Sequence, residues 1–148
     1  MIDLRWQTGV RGRSATPDSN PEGVIMPKVS KETAAQVDDF GVAIDRHSDL
    51  DGYTVNFVSI VQTHDLAPML KSLPGGRCPC PHWGYVIKGR LLVRYEDREE
   101  TIEAGDAFYM PPGHVPEAEE GTEIVQFSPA EELAAMVATL KASMQPED

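Results

Sequence analysis

The chain is poor in cysteine: Cys78 and Cys80 are the two it has among 148 residues. Two cysteines two residues apart are not a disulfide framework, so the expected setting is a reducing cytoplasm. Long apolar runs are also missing. No stretch approaches the ~20 apolar residues that a membrane-spanning helix needs. Arg5, Arg11 and Arg13 have no apolar segment beside them, so the first residues do not read as a secretory signal. Basic residues are scarce, with 13 Lys and Arg against 24 Asp and Glu and a net charge of −11. That balance excludes a nucleic-acid backbone or an anionic membrane as the expected partner. Internal repeats are absent as well.

What is present is an ordinary globular composition, 41% apolar and 25% charged, in a length that suits one domain with its own core. Residues 1–25 are rich in Gly, Pro, Ser and Asn without a sustained period, and read as a flexible or irregular arm. Ser30 to Val37 reads as a short helix capped by Ser30. Tyr53 to Val61, Trp83 to Ile87, Arg90 to Tyr95, Glu99 to Ile102, Ala107 to Met110 and Thr122 to Phe127 read as strands. Turn signals at Lys88-Gly89, Glu96-Asp97-Arg98 and Gly105-Asp106 separate several of them. The period then changes. Leu133, Met136, Val137, Leu140 and Met144 recur at helical spacing, after a Ser128-Pro129-Ala130-Glu131 start signal. Many short strands and one terminal helix indicate an all-β sandwich or barrel with a helical appendage.

The stretch with the most chemistry runs from Cys78 to His114. It holds both cysteines and two of the four histidines, the ligand types that suit zinc and related metals. His82 is followed after six residues by Gly89, and Gly105 after five residues by Pro111-Pro112-Gly113. Fifteen residues separate Gly89 from Gly105.

These spacings resemble the two motifs of the cupin superfamily, over roughly residues 50–128. The resemblance implies a cupin-like double-stranded β-helix barrel over residues 26–128, with the amphipathic helix over 129–144 appended. Lyase, isomerase, hydrolase and dioxygenase chemistry all occur on this scaffold, and fold alone does not choose among them. The usual ligand set is substituted. Gly76 and Cys78 stand where the family has His-x-His, and His82 stands at its glutamate position. Pro116 takes its last histidine position, with His114 two residues earlier, and Glu120 stands where its final Asn would fall.

Strand parity places Cys78, Cys80 and His82 on one face, and His114 shares the parity of the family's histidine position. Straight geometry opposes a shared site, since four extended residues separate Cys78 from His82 by about 13 Å. The Pro79-Cys80-Pro81 segment must therefore bend if a metal is to be shared. Three readings stay open: small buried cysteines with hydrogen-bonded histidines, a Cys/His metal site, or a redox pair of Cys78 and Cys80. In the metal reading, Cys78, Cys80, His82 and His114 are the candidate ligands, for a divalent ion with zinc ahead of copper or nickel. His114 is alternatively a general base. Tyr53, Phe57, Phe108 and Met110 are candidates for lining an apolar small-molecule pocket, or for core. Trp83 and Tyr85 have outward parity and suit a homodimer interface. His47 and His64 lie in polar sequence and are expected to be exposed.

Overall fold

The structure, a computed structural model, describes residues 26–144. The expected arm over residues 1–25 lies outside the described residues. Among the described residues there are ten strands: β1 (Gln36–Asp39), β2 (Ala43–Leu50), β3 (Tyr53–Ile60), β4 (His64–Asp65), β5 (His82–Lys88), β6 (Arg90–Arg94), β7 (Glu99–Glu103), β8 (Ala107–Met110), β9 (Val115–Ala118) and β10 (Glu123–Pro129). The helix α1 (Ala130–Met144) follows β10, and short 3-10 turns occupy Met69–Ser72 and Pro74–Gly76.

All strand pairs are antiparallel and form two sheets, β1-β2-β3-β10-β5-β8 and β4-β9-β6-β7. Alternation sets which side chains enter the space between them. Val86 and Ile124 from one sheet and Leu91, Val93 and Ala118 from the other are buried together with Ala43, Ile60 and Met110. Each such aliphatic side chain contributes about 1.5–3 kcal/mol by leaving water. The result is the β-barrel with a C-terminal helix that the sequence predicts.

Two glycines fix the strand geometry. Gly89 turns β5 into β6 at φ +80°, and a Cβ there would run into Thr122. Thr122 is fully buried, and its hydroxyl accepts from Arg90 N at 3.0 Å and donates to Arg90 O at 2.9 Å. Gly84 leaves room for the Phe108 ring, whose Cζ would lie 2.5 Å from an added Cβ.

Two expectations are corrected. Residues 30–37 do not form a helix. Ser30 does bond the Thr33 amide through its hydroxyl and its carbonyl, both at 3.2 Å, but one turn is all that forms before β1 begins. The β-branched and polar residues beyond it pair with β2 instead. Ser128 does not cap α1. It is buried inside β10, and the first helical amide, Ala130 N, donates to Gly52 O at 2.9 Å.

The helix packs by one face. Leu133 is buried with Leu70, Leu73, Cys78, Cys80 and Val115, and Met136, Val137 and Leu140 lie half-buried against that cluster. Glu131 and Glu132 in its first turn and Lys141 in its last suit the helix dipole. His47 and His64 sit in β2 and β4 and are half-buried, not exposed in turns; His47 Nε2 lies 3.0 Å from Asp38.

Candidate metal centre

Cys78 pairs with His114 as an isolated antiparallel bridge. Cys78 N donates to His114 O at 3.1 Å, and Gly113 N donates to Cys78 O at 2.8 Å. The chain then bends through Pro79-Cys80-Pro81, where prolines remove ladder donors, and enters β5 at His82. The bend brings Cys78 Sγ to 3.9 Å from His82 Nε2, far inside the extended separation. Cys78, His82 and His114 each offer a ligand atom within 4.8 Å of one another.

Cys80 does not join that group. Its side chain is buried under α1 and its thiol donates to Pro81 O at 3.6 Å. The period of two that put it on the Cys78 face does not survive the proline bend.

The two imidazoles lie with centroids 4.9 Å apart, tilted by 55°. His114 Nδ1 is 2.8 Å from Pro111 O, and a carbonyl can only accept, so this nitrogen carries the proton. That leaves Nε2 as a bare lone pair, and it is buried without a hydrogen-bond partner. Tyr95 donates its hydroxyl to the same Pro111 carbonyl at 3.2 Å, and its ring stands edge-on to His114. His82 Nδ1 is 2.6 Å from Ser128 Oγ.

Burial dominates the electrostatics. It pushes His82 down to about 3, helped by neighbouring His114. It pushes His114 down as well, against the Pro111 carbonyl, which favours the protonated ring. It raises Cys78, and raises Cys80 to about 12 with help from Cys78 and Glu132. Near pH 7, without metal, both rings are neutral and both thiols are protonated. Neutral imidazole is the ligating form, whereas a thiol must first lose its proton.

The centre is closed, with Cys78, His82 and His114 exposed by 4%, 6% and 1%. A cleft of about 260 Å³ lies on the other side of Tyr95 and Pro111, lined also by Val93, Ile102, Phe108 and Met110. Phe108 and Met110 line this cleft, and both also belong to the core, Met110 as a buried member and Phe108 packed against it. Tyr53 does not line the cleft: it is exposed on the outer face, 6.3 Å from Trp83. Phe57 pairs with Val125 and shares that outward parity.

Ser128 and Tyr95 are the site residues that sequence reasoning missed. Ser128 looked like a helix cap, although Ile124, Gln126 and Ser128 share the inward parity of β10. Tyr95 was read as a strand end, and no sequence signal ties it to Pro111.

The cupin-domain family model matches residues 76–119, which contain Cys78, Cys80, His82 and His114. Solved structures share the fold. A structural-genomics protein of unknown function from Rhizobium leguminosarum is 18% identical, with TM-score 0.53 over 71% of this chain and 96% of that one. The polyketide cyclase RemF from Streptomyces resistomycificus is 13% identical, with TM-score 0.50 over 71% and 80%. HppE in its Fe(II) form is 9% identical, with TM-score 0.50 over 72% and 60%. No curated protein matches the chain significantly. An antiparallel barrel of this topology is the fold these solved structures share, and residues 76–119 within it match the cupin domain.

Proposed function

We propose that this cupin barrel holds a divalent metal ion on Cys78, His82 and His114 and binds a small molecule in the adjoining cleft. The observation that carries the reading is the buried, unpartnered Nε2 of His114. A buried polar atom without a partner costs about 1–3 kcal/mol, and a metal ion would satisfy it. One thiolate with two imidazoles suits zinc ahead of copper or nickel. When bound, the ion would supply Lewis-acid polarisation or an activated water. If His114 is not a ligand, its bare Nε2 suits a general base. Lyase, isomerase, hydrolase and dioxygenase chemistry remain the classes in view. Fe(II) in one fold neighbour and a cyclase activity in another accord with this range.

The functional unit is the barrel of residues 26–128 closed by the helix of 129–144. It takes a small molecule in preference to nucleic acid or a membrane surface, in keeping with its net charge of −11. A cytoplasmic setting accords with two free cysteines. The exposed Trp83, Tyr85, Tyr109 and Phe127 suit a homodimer interface.

Near-complete burial of the three ligands favours a second reading, a closed structural metal in an oligomerising module. A third is a metal-free small-molecule binding or sensing barrel, which the packed cysteines favour. Elemental analysis of protein purified without a histidine tag tests the first two against the third. The expected result is one metal per chain, with a melting temperature that rises on adding Zn²⁺ in the wild type and not in Cys78→Ala. Metal-free protein that gains no stability from Zn²⁺ would leave the metal-free barrel as the account.

A further inference from the structure

We propose, resting on the metal reading above, that Ser128 is a positioning residue: it accepts the ring proton of His82 and so holds that imidazole as the Nδ1–H tautomer. Cys80, buried under α1, stays outside the ligand set. Ser128 is fully buried, and its Oγ lies 2.6 Å from His82 Nδ1. The other ring nitrogen, Nε2, is the one that faces Cys78 Sγ at 3.9 Å. A neutral imidazole has one ring proton, and a serine hydroxyl has one proton and two lone pairs. If Nε2 is to offer a lone pair, the ring proton must sit on Nδ1, where Ser128 Oγ accepts it. The Cys80 thiol is engaged elsewhere, donating to Pro81 O at 3.6 Å.

In the opposite tautomer Nε2–H would point at Cys78 Sγ and the Ser128 proton would turn to Nδ1, leaving no lone pair toward the cysteine. The same logic governs His114, where the Pro111 carbonyl forces the proton onto Nδ1. Two backing groups of different chemistry thus leave a bare Nε2 on each of the two rings that cluster with Cys78. Partners that fix the tautomer of a ligating histidine typically change metal affinity by about 10- to 100-fold.

The test has two arms on the full-length chain. The first is ¹⁵N–¹H NMR of the histidine rings in metal-free protein. The expected result is the Nδ1–H form at His82 in the wild type and in Ser128→Thr, and a mixture in Ser128→Ala. An Nε2–H form at His82 in the wild type would overturn the proposal, whatever the variants do. The second arm titrates Co²⁺ and follows the sulfur-to-cobalt charge-transfer band. Affinity should fall about 10- to 100-fold in Ser128→Ala and recover in Ser128→Thr. The band should persist in Cys80→Ser and vanish in Cys78→Ser; its loss in Cys80→Ser would make Cys80 a ligand and overturn the three-residue ligand set. If the wild type takes up no Co²⁺, the metal reading fails on its own, and the NMR arm still decides whether Ser128 sets the tautomer.

Discussion

His114 donates its Nδ1 proton to the Pro111 carbonyl at 2.8 Å, and that one bond decides what the rest of the ring can do. It holds the imidazole in a single tautomer, with Nε2 bare, buried and unpartnered. It also ties the ring to the end of β8, where Pro111 follows Met110. The same carbonyl accepts from Tyr95, whose ring lines the neighbouring cleft. The Cys78, His82 and His114 cluster and the cleft therefore share Tyr95 and Pro111.

His114→Leu separates metal binding from stability. Leucine fills a similar volume and removes the unpartnered nitrogen, worth about 1–3 kcal/mol of desolvation cost. It also removes the bond to Pro111, worth about 1 kcal/mol, while Tyr95 still serves that carbonyl. Metal-free His114→Leu should match metal-free wild type within about 1 kcal/mol. Its metal content should be lost. Urea unfolding of both proteins in chelator, with elemental analysis before chelation, checks the two halves. Metal-free His114→Leu that is less stable by several kcal/mol would mean that His114 is chiefly a structural residue.

The two motif glycines should behave unequally. Gly89 and Gly105 both have positive φ, +80° and +96°, so alanine strains the backbone at either position. At Gly105 an added Cβ meets nothing within 4 Å, and at Gly89 it meets Thr122. Gly105→Ala should cost about 1–2 kcal/mol from backbone strain alone. Gly89→Ala should cost more, about 3–4 kcal/mol, because Thr122 must also leave its pair of bonds to Arg90. Denaturant midpoints for the two variants give the ordering directly. Equal costs would show that the Thr122 contact relaxes freely.

The central hairpins were legible because their glycines and alternating apolar residues agree. Strands β5 to β8 match the reading to within a residue or two at each end. Strand β2 was illegible because Asp45, Arg46 and Asp49 break the apolar alternation. Two of these are held by partners that only the fold supplies, Asp45 by Asn56 and Asp49 by Thr54. Strand β9 was hidden by Pro116 and Glu117, which argue against a strand in isolation. Of the site, the candidate residues could be picked by type and parity, and the bend at Pro79 and Pro81 was foreseen. Its direction was not, and direction is what brings Cys78 in and leaves Cys80 out. Ser128 shows the same limit: a helix-start signature and a buried strand end look alike until His82 is known to lie beside it.

Acid should unfold the metal-free protein early. His82 in the fold is depressed to about 3, and His114 is depressed too, whereas an unfolded histidine titrates near 6.5. The unfolded chain therefore binds more protons below 6.5, so stability is full above that pH and falls as the pH drops toward 3. His82 contributes a slope of roughly 1.4 kcal/mol per pH unit once the unfolded state is protonated, and His114 adds to it in the same direction. Urea unfolding in chelator between pH 7.5 and 4.5, pH values chosen to bracket the unfolded titration near 6.5, should show this decline. His82→Gln should flatten the decline. An unchanged slope in His82→Gln would mean that another group carries the acid sensitivity.

The outer face of the larger sheet gives the last prediction. Antiparallel sheets usually turn polar residues to water on one side. Here Trp83 stacks on Tyr109 at 4.9 Å, pairs in register with Phe127, and lies beside Tyr53, all of them exposed. Tyr85 and Ile87 extend the same row along β5. A contiguous aromatic patch of this kind marks an association surface, and two copies meeting through it would be related by a twofold axis. The wild type should therefore be a dimer by light scattering at micromolar concentration. Trp83→Arg with Tyr109→Glu should give a monomer with its barrel intact by circular dichroism. Because the face points away from Cys78, His82 and His114, metal content per chain should not change. A wild-type monomer mass at high concentration would remove the dimer, and a double variant that stays dimeric would move the interface elsewhere.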